Sequence, residues 1–464
     1  MDAIDRRVPP QPYVEEGHAM HAMVRDLYPL CRSITGEGLR ETLRRIAHVI
    51  PLELNEVPSG APALDWTVPD EWTIRGARIE DMAGRVLVDF RNSNLHVVQY
   101  SRPVDRVLAR DELARHVHTL PDQPDLIPYR TGYFADSWGF CITERQWSGM
   151  RDERYRVVID SDVSPGSLTY GELLVPGRLP DEVIVSVHCC HPSLANDNLS
   201  GIAVATRAAR RLLDRSAAGA PPRRGVRFLF MPATIGAITW LSRNEGRLGA
   251  VRGCLVLSCV GDPGGYHYKL TRDGSALMDR AVRLAFRDNE EPLALRPFSP
   301  IGYDERQYDS PGYRLGAGLL TRSPDRTFPE YHTSADDPDL VRPPALARSL
   351  ELVEAVLAIV DADTILVRRD GRGEPQLGRR GLYRQISGQR GTGGATQEAI
   401  LWTLNLCDGR HSLIDIAERS GLPFAQVAKA AELCVAADLL HSPSRPVRRY
   451  RSTHHAAHRN ANWG

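Results

Sequence analysis

The 464-residue sequence predicts an α/β protein: a mixed, largely parallel sheet covered by helices, with a small β-rich insertion and a C-terminal winged-helix-like domain. Three observations predict it. Buried-type strands alternate with helical patterns from residue 182 onward, short alternating runs replace that rhythm between 68 and 158, and three helical patterns separated by turn signals fill 396–442.

Residues 16–50 carry apolar positions at helical spacing on either side of Arg32-Ser33-Ile34-Thr35-Gly36, which predicts two helices joined by a polar loop. Between 68 and 158, runs such as Gly84-Arg85-Val86-Leu87-Val88-Asp89-Phe90, punctuated by aromatic and proline loops, predict the insertion. The α/β domain is therefore expected to be discontinuous, over 1–67 and 159–367. Within it, 182–187 predicts a buried strand, 201–213 a helix, 226–231 and 251–260 two further strands, and 346–360 an amphipathic helix. Clustered polar residues follow the C-terminal ends of these strands, where open α/β sheets place ligands. Glycine and arginine dominate 368–395, read as a linker with room for one strand. Breaks at Asp408-Gly409 and Gly421-Leu422-Pro423 give 396–442 the layout of a winged helix, and a basic, His-rich tail over 443–464 is expected to be disordered.

Lys and Arg number 58 against 58 Asp and Glu, so the chain as a whole carries no field that would recruit nucleic acid or an acidic membrane. Eight cysteines without zinc-finger spacing read as reduced thiols. With no signal-peptide pattern and no apolar stretch of membrane-spanning length, the expected location is cytoplasmic.

The segment from His188 to Gly201, with His188, His191 and Asp197, lies between a predicted strand and a predicted helix. Neutral imidazoles and a carboxylate suit a borderline metal such as zinc, and a carboxylate can bridge two metals. The alternative is a loop that only caps the next helix. Asp262, after the strand over 251–260, and His332, in Pro329-Glu330-Tyr331-His332, add a second carboxylate and another imidazole.

Taken with Leu27-Tyr28-Pro29-Leu30-Cys31-Arg32-Ser33-Ile34-Thr35-Gly36, Cys190-His191-Pro192-Ser193 and Leu404-Asn405-Leu406-Cys407-Asp408-Gly409, the sequence resembles the aminopeptidase-like proteins related to co-catalytic zinc exopeptidases. The resemblance implies a zinc-exopeptidase-like mixed sheet and His191, Asp197, Asp262 and His332 as ligands for one or two zinc ions, with His188 an alternative first ligand. It also marks departures. Relatives read Pro-Glu-Thr-Ile-Gly, the Glu being the general base, where this chain has Pro232-Ala233-Thr234-Ile235-Gly236; Thr234 falls at a usual carboxylate ligand. Asp304, Glu305 and Glu330 are the acids that could replace the base. Arg306, Tyr303, Tyr331, Arg32 and Ser33 are candidate substrate contacts, although Arg32 and Ser33 could equally anchor the N-terminal loop. Tyr303 stands where the resemblance puts a serine.

The expected activity is hydrolysis of a small peptide or amide-linked aminoacyl conjugate, in keeping with the biosynthetic associations of such proteins. The alternative is a catalytically silent binding protein, and a winged-helix regulator ranks third. Residues 396–442 hold six acids against three bases, so the C-terminal domain is expected to contact the catalytic domain or a second copy, giving a homo-oligomer, instead of nucleic acid.

Overall fold

Runs of Val, Ile, Leu and Phe without polar alternation suit strands buried on both faces. In the computed structural model, which describes residues 11–382 and 397–443, such runs form the centre of an eight-stranded sheet. Its strands are β1 (Glu53–Pro58), β2 (Ser167–Val175), β3 (Glu182–His188), β4 (Gly225–Met231), β5 (Val251–Leu257), β6 (Tyr266–Lys269), β7 (Leu293–Arg296) and β8 (Ala317–Thr321). Their spatial order is β1-β2-β4-β3-β5-β8-β6-β7. The inner strands β4, β3, β5 and β8 are parallel. Antiparallel β1 and β2 close one edge, and β6, antiparallel to β8, carries β7 at the other.

Helices α1 (Gln11–Leu27), α2 (Glu37–Ala47), α3 (Gly201–Ala217), α4 (Ile235–Asn244), α5 (Leu277–Asp288) and α6 (Pro343–Ala362) cover this sheet. α2 shows why: Leu39, Thr42, Leu43 and Ile46, spaced three and four apart, are its buried face. Three helices are joined by one carboxylate, since Glu354 of α6 accepts from Tyr13 of α1 and from Arg211 of α3.

The insertion is a four-stranded antiparallel sheet whose spatial order is 86–89, 71–80, 154–164, 104–109. Its long loops return to the α/β core. Pro128 forms a bridge with Thr333, Tyr129 N–H donates to the His332 carbonyl at 2.8 Å, and Ser334 N–H donates to the Ile127 carbonyl at 2.9 Å.

The chain divides into one unit ending at Asp361 and a second beginning at Ala362. The second has a three-stranded antiparallel sheet, Ile365–Arg368 between Asp408–Ser412 and Leu440–His441, and helices Gln397–Leu406, Leu413–Ser420 and Phe424–Ala436. Ser412 opens its middle helix with a reciprocal capping box to Asp415, and Gly421, at φ 72°, closes it. The strand at 365–368, which spans the expected domain boundary at 367, thus belongs to this unit, because both its hydrogen-bonded neighbours lie beyond residue 407. Residues 383–395 of the expected linker and 444–464 of the expected tail lie outside the described residues.

Candidate functional site

β3 is buried along its whole length and delivers His188 at its last residue. His191 follows after Cys189 and Cys190, and Asp197 lies in the irregular turn 195–200 that leads into α3. His188 Nε2 is 2.9 Å from Asp197 Oδ1, and His191 Nε2 is 3.8 Å from Oδ2. From the loop after β8, His332 brings its Nε2 to 3.1 Å from the same Oδ2. Three imidazoles therefore surround one carboxylate. Ligand atoms of His188, His191 and Asp197 all lie within 4.8 Å of one another, close enough to share an ion.

The turn bearing Asp197 is held from outside. Asp336 accepts from the backbone N–H of Asn196 at 2.5 Å and of Asp197 at 3.0 Å. Asn198 Nδ2 donates to the Leu257 carbonyl at 2.9 Å, tying the turn to the end of β5. Burial pushes the His191 imidazole down to about 3, so it is neutral at pH 7. Burial alone would raise the Asp197 carboxyl, but the three imidazoles hold it well below the usual carboxylate range. The cluster thus presents the neutral His191 imidazole beside an ionised carboxylate. His188 and Asp197 are buried, whereas the His332 side chain is 33% exposed, so the approach is from its side.

Asp262 is not in this group. Its carboxylate accepts from Asn196 Nδ2 at 2.8 Å, Ser323 Oγ at 2.6 Å and Gly264 N–H at 2.7 Å, one hydrogen-bonded layer behind Asp197. The position facing Asp197 from β5 is taken by Ser258, whose Oγ is 3.5 Å from Oδ1. Arg32, expected as a substrate contact, is buried and spends its guanidinium on the carbonyls of His191, Pro192 and Leu27. Ser33 donates to Gln99 Oε1 at 3.1 Å. Both act as loop anchors because the N-terminal loop passes beneath the His191 segment.

The tyrosines do reach the cluster. Tyr303 stacks on His188 with ring centroids 4.9 Å apart, and Tyr331 stacks on His332 at 3.9 Å. Arg306 is half-buried and donates to the Tyr303 carbonyl. Of the acids, Glu305 is ion-paired with Lys269 at 2.5 Å. Asp304 is fully buried with neither carboxyl oxygen hydrogen-bonded among the described residues, and burial raises it to about 7. Glu330 is half-buried, with its backbone carbonyl accepting from Thr333.

Sequence reasoning missed Gln99, Tyr129 and Tyr133. Tyr129 packs its ring on both His191 and His332, with centroids 5.1 and 4.9 Å away. Gln99 Oε1 accepts from Tyr129 at 3.3 Å and from Tyr133 at 2.7 Å. All three lie in the insertion, far along the chain from any motif; the aromatic density of its loops was the one available signal.

A parallel-centred sheet with a histidine and carboxylate cluster at its strand ends is an aminopeptidase-like architecture. The fold is similar to the zinc aminopeptidase BSAP from Bacillus subtilis (TM-score 0.55, 15% identity, 76% of this chain and 95% of that one). It is also similar to a peptidase M28 precursor from Shewanella amazonensis (TM-score 0.51, 12% identity, 76% and 95%). Residues 21–363 match the family described as domain of unknown function DUF4910, and the chain belongs to that family. Residues 364–442 match a winged helix-turn-helix family. A Clostridium acetobutylicum relative, provisionally named a polysaccharide biosynthesis protein with aminopeptidase-like domain, is 42% identical over 92% of this chain and 96% of its own. A crystal structure of a provisionally named peptidase from that organism has a TM-score of 0.85 at 40% identity, covering 93% of this chain and 97% of that one.

Proposed function

We propose that the chain is a zinc-binding, aminopeptidase-like protein that recognises a small peptide or amide-linked aminoacyl conjugate and hydrolyses it weakly for want of a base. The observation that carries this reading is the closure of His188, His191 and His332 around Asp197, with a methyl group at position 233. Three imidazoles and one carboxylate fit zinc. One ion suits the donors better than two, since Asp262 is engaged elsewhere and Ser258 and Thr234 offer only hydroxyls. When bound, zinc supplies a Lewis acid for polarising a carbonyl. His332 stands on the open side, where a ligand enters, and Tyr331 and Tyr303 line that approach. The Ala233 methyl has no lone pair with which to take a proton from water, and a positioned general base contributes about 10²–10⁴-fold. The name of the Clostridium relative makes a biosynthetic intermediate the natural ligand class.

Asp304 favours a second reading, an active hydrolase with a relocated base, because it is the buried acid left unpaired beside His188. Zinc analysis of purified protein, with leucine p-nitroanilide hydrolysis measured for native, Ala233→Glu and Asp304→Asn proteins, separates the two. About one zinc per chain and activity rising by about a decade or more in Ala233→Glu support the first. High native activity abolished in Asp304→Asn supports the second.

A further inference from the structure

Gln99 is 1% exposed, and its side-chain amide is bonded at both ends. Its Nε2 donates to the Arg32 carbonyl, which fixes the orientation of the amide, since an oxygen cannot face that carbonyl. Oε1 then accepts from Ser33 Oγ at 3.1 Å, Tyr133 at 2.7 Å and Tyr129 at 3.3 Å. The two phenol oxygens also lie 3.1 Å apart. One buried amide thus fastens the N-terminal loop to two tyrosines of the insertion. Buried polar networks are costly unless complete, and when complete they hold one geometry.

Both ends of this fastening return to the histidine cluster. Arg32 Nε donates to the His191 carbonyl at 2.7 Å, and its Nη2 donates to the next carbonyl, that of Pro192. Tyr129 closes the circuit from the other side. Its ring meets the His332 ring edge to face, with centroids 4.9 Å apart and planes at 83°, and is tilted against His191 at 5.1 Å. Its N–H donates to the His332 carbonyl at 2.8 Å. The backbone of His191 and the rings of both histidines are therefore held through Gln99, although among the described residues no hydrogen bond joins Gln99 to either.

We infer that Gln99 and Tyr129 are positioning residues of the cluster: Gln99 fixes the Tyr129 hydroxyl, and the Tyr129 ring sets the planes of His191 and His332 so that their Nε2 atoms converge on Asp197. The ligating lone pair of an imidazole lies in the ring plane, so rotation of the ring decides whether the nitrogen points at a shared ion. Groups that orient metal-ligating histidines from outside contribute about 10–100-fold in metal affinity. The inference rests on the reading of the cluster as a zinc site.

The test uses the full-length protein. Zinc affinity is read by competition with a chromophoric chelator, and cobalt is loaded in place of zinc so that its visible absorption reports ligand geometry. Tyr129→Phe keeps the ring and removes the hydroxyl that Gln99 holds; Gln99→Met keeps the length and removes the amide. Each should weaken zinc binding about 10–100-fold and change the cobalt spectrum. Tyr100→Phe is the control, since its hydroxyl bonds Thr35 at 2.6 Å and the Asp70 carbonyl at 3.1 Å, joining the same loop to the insertion by another route. That variant should lower the metal-free melting temperature while zinc affinity stays within about threefold of native. Unchanged zinc affinity in Tyr129→Phe, or an equal loss in Tyr100→Phe, would overturn the positioning role. Should Gln99→Met fold poorly, Tyr129→Phe decides alone. Nuclear magnetic resonance of metal-free protein with isotope-labelled histidine reads the same role without zinc: the ring signals of His191 and His332 should move in Tyr129→Phe and stay in place in Tyr100→Phe. A native chain that takes up neither metal would remove the zinc reading, and ring signals unmoved in Tyr129→Phe would remove the positioning.

Discussion

Asp197 and Asp262 are two carboxylates that a sequence presents as equals and the structure separates. Asp197 meets three imidazoles; Asp262 meets an amide, a hydroxyl and a backbone N–H. Asp197→Asn should therefore abolish zinc uptake, whereas Asp262→Asn should keep the zinc stoichiometry and lower the melting temperature. Loss of one of two zinc equivalents in Asp262→Asn would reinstate it as a ligand. Among the described residues Asp336 bonds no side chain of the cluster, yet its two oxygens hold the backbone on which Asp197 is carried. Asp336→Asn keeps the shape but exchanges an acceptor for a donor against two N–H groups. Leaving a buried N–H without its acceptor costs about 1–3 kcal/mol, so denaturant titration should show a loss of that order together with weaker zinc binding. At this scale His188, His191 and Asp197 were legible because their motif begins where a strand ends, and His332 through the family resemblance. The direction in which Asp262 turns was not, because it depends on Asn196 and Ser323, distant neighbours brought together by the sheet.

The insertion shows how an element acts at a distance from its own core. Its loop at 127–129 bridges the loop that carries His332, so the insertion supports one wall of the site. Within it His96 is buried, with Nδ1 at 2.8 Å from the Cys141 carbonyl, and burial lowers its imidazole from the usual 6.5, the carbonyl and Asp89 only partly opposing this. His118 is lowered as well, by burial and by Arg130. Below about pH 6.5 the unfolded chain takes up protons that the folded chain refuses. Stability should therefore fall as pH drops below that value, by up to about 1.4 kcal/mol per pH unit for each such histidine. Chemical denaturation from pH 7.5 to 5 reads the slope, and His96→Asn, whose amide can replace Nδ1–H, should make it shallower. A slope unchanged in that variant would assign the acid sensitivity to other groups. The existence of this β-rich element was legible from its alternating runs; its reach to His332 was not, since loop residues have no periodicity that names a partner.

For the whole molecule, the division after Asp361 decides where the chain can be cut. A protein ending at Asp361 should bind zinc as the full chain does. One ending at Gly394 keeps strand Ile365–Arg368 without either antiparallel neighbour, and light scattering should find it more prone to associate. The C-terminal unit matches a family whose architecture is used for DNA, but Lys429 of helix Phe424–Ala436 is paired with Glu432 at 3.1 Å. Gel-shift titration of residues 362–443 against mixed duplexes at physiological salt should show no specific complex; a salt-sensitive, sequence-selective complex would make this a DNA-binding protein. The periodicity and strand-end motifs of the sequence by themselves determined the α/β class, the β insertion, the helical C-terminal pattern and the main metal-ligand candidates. These are local signals, set by spacings of two and of three to four residues and by the polar residues placed at strand ends. Only the tertiary structure decided that Arg32 anchors a loop, that Asp262 stands behind the cluster, that strand 365–368 belongs to the second unit, and that Tyr129 borders the site. Each of those depends on contacts between residues tens to hundreds of positions apart, and no spacing in the chain encodes which of many distant neighbours folding will supply.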